Sequence, residues 1–200
     1  MFYIMQPEER PKGYVNLSHS AEWVRWLNRN IPFDLDAEVR RRLSSNLKHL
    51  LVGLELKRAL ISPHQHRDRG DRPVLFEPYF QNLIQEFCVG AFSVIEGLGS
   101  AHWLSRNGDN GADGRRIYRN DWMPVLQDTY DGSNEFGLLN AVHQTVNVRD
   151  KLHQDQVGAR ADIDWHSFTY EAAFEPASIA ISILLRRNAD MVPEKSNLRG

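Results

Sequence analysis

Residues 76–103 read FEPYFQNLIQEFCVGAFSVIEGLGSAHW. Phe80, Ile84, Phe87, Ala91, Val94 and Leu98 are alternately four and three apart, with Leu83 and Ile95 beside them. That is the period of an α-helix. The apolar face is unusually wide, which predicts the central, most buried helix of the chain. Pro78 falls in the first turn, where its missing N–H is harmless. Gly90, Gly97 and Gly99 lower helix propensity, so they point either to close helix packing or to the helix beginning to end. Cys88, the single cysteine, lies in the same apolar pattern and reads as a small buried hydrophobe.

The flanking segments carry the same period. Ser18 to Asn30 reads as a helix with Ser18 or Ser20 as N-cap and with Trp23, Trp26 and Leu27 as its core face. Pro32 ends it. Asp34 or Asp36 then caps a long helix from about Ala37 to Ile61, striped by Val39, Leu43, Leu47, Leu50, Leu54 and Ala59 or Ile61. Its basic residues Arg40, Arg41, Arg42, Lys48, Lys57 and Arg58 read as a solvated face. Asp121 to Tyr130 is a short helix interrupted early by Pro124, and Ser133 follows as the N-cap of the next helix. His166 to Arg187 is the last helix, which Pro176 should kink or divide. Residues 1–17 are expected as an irregular arm and 188–200 as a frayed polar tail. No stretch alternates with period two. The expectation is a single all-α domain, 1–200: a helical bundle of four main helices plus one or two short ones.

Composition narrows the class further. Two hundred residues suffice for one domain with a sizeable core and no disulfides. A formal net charge of -2 excludes a global basic field for nucleic acid and leaves room for a local patch. One cysteine suits a reducing cytosol, and no uninterrupted apolar run reaches the ~18 residues of a membrane span. The opening MFYIMQPEERPKG lacks the pattern of a signal peptide. A cytoplasmic protein without membrane contact is expected.

Two loops invite a metal reading. His64, His66, Asp68 and Asp71 have ligand chemistry, but they sit in a Gly/Pro/Arg loop without a rigid element, among three arginines that oppose a cation. In the 106–120 insert, counting from Asp109, the third and twelfth positions of a calcium loop are Gly111 and Asn120. Two ligands are therefore missing, and the segment reads as a solvent turn. No Gly-Lys-Ser/Thr follows to make it a phosphate loop. No metal or cofactor is expected.

The remaining helix carries the chemistry. Residues 138–155 read LLNAVHQTVNVRDKLHQD, and the stripe Leu138, Val142, Thr145 or Val146 runs into Arg149 and His153. Four residues apart, these two stand one above the other at the edge of the core face. An arginine there needs an anion, a ligand or a route to solvent. Glu86 or Glu96 on the central helix could supply the anion. Alternatively the pair acts on a phosphodiester: a guanidinium holds a phosphate and an imidazole moves a proton near neutral pH. RNA brings its own nucleophile in the 2′-hydroxyl, so no metal is required.

The segment VRDKLHQD at 148–155, late in a helical chain, resembles the HEPN superfamily. The resemblance spans roughly residues 37–187. Members are small helical bundles that often dimerise. Many are metal-independent ribonucleases of toxin–antitoxin, CRISPR and phage-defence systems, and others are inactive binding or scaffold modules. Their motif is an arginine and a histidine separated by four to six residues, often with a polar residue after the arginine. The resemblance implies Arg149 as phosphate holder, Asp150 as the polar follower and His153 as general acid or base. Here three residues intervene. Arg160 and His166 have five between them but follow Gly158, on a connection rather than an apolar helix. The implied protein is a homodimer that binds or cleaves RNA. The alternative is a non-catalytic interaction module of antitoxin, immunity or scaffold type, with a protein partner.

Overall fold

The computed structural model describes residues 17–61, 77–130, 137–150, 165 and 168–199. Among them are six α-helices and no strand, so the all-α bundle expected from the periodicity is the architecture. In chain order the helices are α1 (Trp23–Asn30), α2 (Ala37–Leu60), α3 (Glu77–Arg106), α4 (Arg119–Tyr130), α5 (Leu138–Asp150) and α6 (Glu175–Arg186).

α3 is the central helix. It packs against α2, α4, α5 and α6. Ile84, Phe87, Ala91, Ile95 and Leu98 are wholly buried along it. Its span Tyr79–Arg106 is long and apolar enough, by length and mean hydropathy, to cross a membrane, yet 56% of its most apolar window is buried inside the bundle. The three glycines serve close packing, and the helix runs past all of them to Arg106. A Cβ on Gly97 would lie 3.2 Å from Leu43 Cδ1 and Leu47 Cδ2 of α2, and one on Gly90 3.2 Å from Leu54 Cδ2. At Gly99 a Cβ would lie 2.5 Å from Cε3 of Trp122, so this glycine lets α4 seat on α3.

Asp36 caps α2, its carboxylate accepting from the N–H groups of Glu38 and Val39. The buried stripe of α2 is Leu47, Leu51, Leu54 and Glu55. Val39, Leu43 and Leu50, expected in that stripe, are only half-buried. α1 begins later than expected. His19, rather than Ser18 or Ser20, caps a 3₁₀ turn at Ser20–Glu22, and Glu22 closes the box by accepting from His19 N–H. Ser18 is instead drawn inward: its N–H and Oγ donate to the two carboxylate oxygens of Glu55, at 2.9 and 2.8 Å.

The end of the chain also departs from expectation. The last helix is not divided at Pro176: Phe174 and Glu175 both keep right-handed helical backbone, and a π turn passes directly into α6. Tyr170–Phe174 form a π-helical turn that ends with the Glu175 N–H donating to Tyr170 O, and Pro176 then sits in the first turn of α6. Residues 188–199 are not frayed. Val192 and Leu198 are buried, and Asn197 Nδ2 donates to Glu55 O at 2.9 Å. These few apolar side chains and one amide suffice to dock the tail on α2 and α6. The 1–16 arm, the His64/His66/Asp68/Asp71 loop, Ser133, Arg160 and His166 lie outside the described residues.

Candidate functional site

Val142 and Val146 hold α5 in the core with no exposure, and the helix turns Arg149 to the rim. Its side chain is one-third exposed. The guanidinium carbon lies 5.1 Å from the ring centroid of Phe92 on α3. Nη1 donates to Asp150 Oδ1 at 3.0 Å. The second oxygen of Asp150 accepts from Arg119 Nη2, the first residue of α4, at 2.9 Å. One carboxylate thus grips two guanidinium groups contributed by different helices, and the trio keeps one net positive charge.

The titration of Asp150 follows from this geometry. Partial burial raises its pKa and is the largest single influence. The hydrogen bonds and charges of Arg149 and Arg119 together outweigh it and hold the carboxyl below its ordinary value. Asp150 is therefore a fixed anion near neutral pH that orients Arg149. The expected partners of Arg149 across the bundle do not reach it: Glu86 pairs with Lys57 at 3.5 Å, and Glu96 is exposed. His153 lies outside the described residues, so the structure brings together Arg149 and Asp150 of the three expected site residues.

Arg119 is the residue that reasoning from sequence missed. It ends the run Arg115-Arg116-Ile117-Tyr118-Arg119, in the segment expected as a solvent turn, and instead opens α4. The run holds three arginines, and Tyr118 is 59% exposed. Arg116 lies over the Tyr118 ring at 5.2 Å and Arg115 over Trp103 at 4.8 Å. Three arginines around one tyrosine within five residues are the signal by which the sequence could have singled it out. The turn geometry itself was anticipated: Gly108, Gly111 and Gly114 have φ of 69°, 82° and 64°. The insert is anchored by Asp36 N–H donating to Asn110 O at 2.9 Å. Among the described residues no cluster of metal-ligating side chains forms.

A second polar cluster closes another end of the bundle. His102 Nε2 and Tyr130 Oη are 3.1 Å apart, and Arg187 covers the Tyr130 ring at 5.2 Å while donating from Nη1 to Thr129 O. Burial, then the positive charge of Arg187, lowers the His102 pKa to about 4. Burial pushes the Tyr130 phenol above its usual range. Both groups are neutral at pH 7, so the cluster is a lock between helices. Trp26 Nε1, donating to Arg187 O at 2.9 Å, and Asn188 Nδ2, donating to Asn30 Oδ1 at 3.2 Å, complete it.

Comparison of the chain with family models, with curated proteins and with solved structures finds no match.

Proposed function

We propose that this protein is a HEPN-like RNA-binding bundle that cleaves RNA without a metal ion, with Arg149 and His153 at the reacting phosphate. The observation that supports the reading is the gripping of Asp150 between Arg149 and Arg119. It orients an arginine at the rim of the core and ties it to the Arg115–Arg119 run, where the Arg116 guanidinium lies over the exposed Tyr118 ring. Such a surface suits single-stranded RNA: arginines meet phosphates and the phenol ring takes a base.

In the proposed reaction the 2′-oxygen attacks the adjacent phosphorus. The P–O2′ bond forms as the P–O5′ bond breaks. A base accepts the 2′-hydroxyl proton and an acid protonates the leaving 5′-oxygen. His153 takes one of these roles, and His153 of a second copy in a homodimer takes the other. Arg149 offsets the charge that builds on the non-bridging oxygens. Asp150 acts through Arg149 and is a positioning residue.

Incubation of the purified protein with labelled single-stranded RNA in the presence of a chelator tests the reading. Cleavage is expected, leaving 2′,3′-cyclic phosphate ends. His153→Ala should slow it by about 10²–10⁴-fold. Arg149→Ala should do likewise, with the circular dichroism spectrum unchanged. Asp150→Asn should lower kcat, since it loosens Arg149, without raising KM, since it removes a charge that opposes RNA. RNA left intact by the wild-type protein would refute the enzymatic proposal.

The other reading is a non-catalytic interaction module. It is favoured by the engagement of Arg149 with both Asp150 and Phe92, which occupies part of its donor fork and one face. RNA retained but not cut, with affinity lost in Arg119→Ala, would select it.

A further inference from the structure

A cavity of about 460 Å³ opens between the end of α1 and the first half of α2. Asn28 and Ile31 line one side, and Arg40, Arg41, Ser44 and Lys48 line the other. Arg40, Ser44 and Lys48 are four residues apart, so they form a row along one helix face. The row is about 12 Å long, from the helical rise. None of the Arg149, Asp150 and Arg119 side chains contributes to it.

Its charges are not balanced among the described residues. Arg41 is occupied by Glu38, with Nε and Nη2 donating at 2.7 and 2.6 Å, and the same carboxylate also takes Arg42 Nε at 2.7 Å. Among the described residues Arg40 and Lys48 pair with no carboxylate. The Arg40 guanidinium lies over the Phe33 ring at 4.7 Å, which fixes its plane. Its Nε is buried and donates to nothing among the described residues.

We propose that this cavity binds a small, multiply charged phosphate ester of nucleoside-diphosphate size. The volume falls in the range of about 300–1,000 Å³ that small-molecule sites occupy. Arg40 offers a fixed donor fork at one end of the row and Lys48 a point charge at the other. The Ser44 hydroxyl and the Asn28 amide lie in the same lining, and Ile31 and Ala37 provide apolar wall for the uncharged part of the ligand. Among the described residues no carboxylate lines the cavity, so a cationic ligand finds no counter-charge from them. The site is independent of the RNA-cutting proposal, because it shares no residue with it.

Isothermal titration of the full chain at low salt with pyrophosphate, ADP, adenosine and a short single-stranded RNA tests the proposal. Pyrophosphate and ADP should bind and adenosine should not. Arg40→Gln and Lys48→Gln should each weaken ADP by about tenfold or more, the usual loss of a charge-assisted hydrogen bond. Arg40→Lys should recover only part of the affinity. Arg149→Ala should bind ADP as the wild type does. If Arg40→Gln fails to fold by circular dichroism, Lys48→Gln carries the test. Absence of heat with both pyrophosphate and ADP overturns the proposal. So does adenosine binding as tightly as ADP, or RNA whose binding depends on Arg40 and Lys48 where ADP does not bind.

Discussion

Replacing Gly99 by alanine places a methyl carbon 2.5 Å from Cε3 and 3.0 Å from Cδ2 of Trp122. Non-bonded carbons rest about 3.5–4.0 Å apart, so α3 and α4 must separate by roughly 1 Å. Trp122 is wholly buried and has no space into which to swing. Overpacking of this kind costs about 1–3 kcal/mol, against which alanine regains about 1 kcal/mol of helix propensity. The net expectation is a loss of up to about 2 kcal/mol. Gly90→Ala is the matched control. Its methyl meets only the tip of Leu54, at 3.2 Å, and that side chain can yield by a few tenths of an ångström. The propensity gain then leaves Gly90→Ala neutral or more stable by up to about 1 kcal/mol. Urea denaturation followed by tryptophan fluorescence measures both variants. Because α4 carries Arg119 to Asp150, Gly99→Ala should also weaken RNA retention. Equal stability of the two variants would refute the close seating of α4 on α3, and with it the reasoning that joins the two arginines.

Three further outcomes follow from the structure. Ser18→Ala removes the Oγ–H that donates to Glu55 Oε1 at 2.8 Å, leaving that oxygen of a wholly buried carboxylate without this donor. A loss of about 1–3 kcal/mol in urea is expected, and an unchanged midpoint would show that the pair contributes nothing. His102, lowered to about 4, resists protonation in the fold while the unfolded chain takes up a proton near pH 6.5. Stability should therefore fall as pH drops from about 6.5 to about 4 and be indifferent to His102 above that window, with His102→Gln flattening the slope. A histidine resonance titrating near 6.5 for His102 in the native protein would disprove this. Leu198→Ala should cost about 2–5 kcal/mol, since Leu198 has no exposure. A melting temperature equal to the wild type would mean that the tail is not docked.

Helices were legible from sequence because each has to bury one face, and a buried face leaves a 3.6-residue period. α3 is the clearest case: its apolar run marked it as central before any neighbour was known. The period was less informative on α2, where Leu51 and Glu55 took places assigned to Val39, Leu43 and Leu50. A glutamate does not look like a core residue, and only the inward turn of Ser18 makes it one. The tail was misjudged for a related reason. Its polar composition concealed Val192 and Leu198, whose burial depends on α2 and α6 lying beside them.

The candidate site divides in the same way. Arg149 and Asp150 were visible as charged residues ending an apolar stripe, because that break is a property of one helix. The partner that Asp150 adds, Arg119, was not visible, because it lies 31 residues earlier, on α4. The amino-acid sequence by itself determined the all-α class, the central helix and the polar break on α5, all consequences of short-range spacing. The tertiary structure decided that Asp150 joins two arginines, that Gly99 admits Trp122, and that Arg40 and Lys48 face one cavity in which no described carboxylate meets them. Those facts depend on which faces meet, and faces are matched by packing across the bundle, where sequence separation carries no distance.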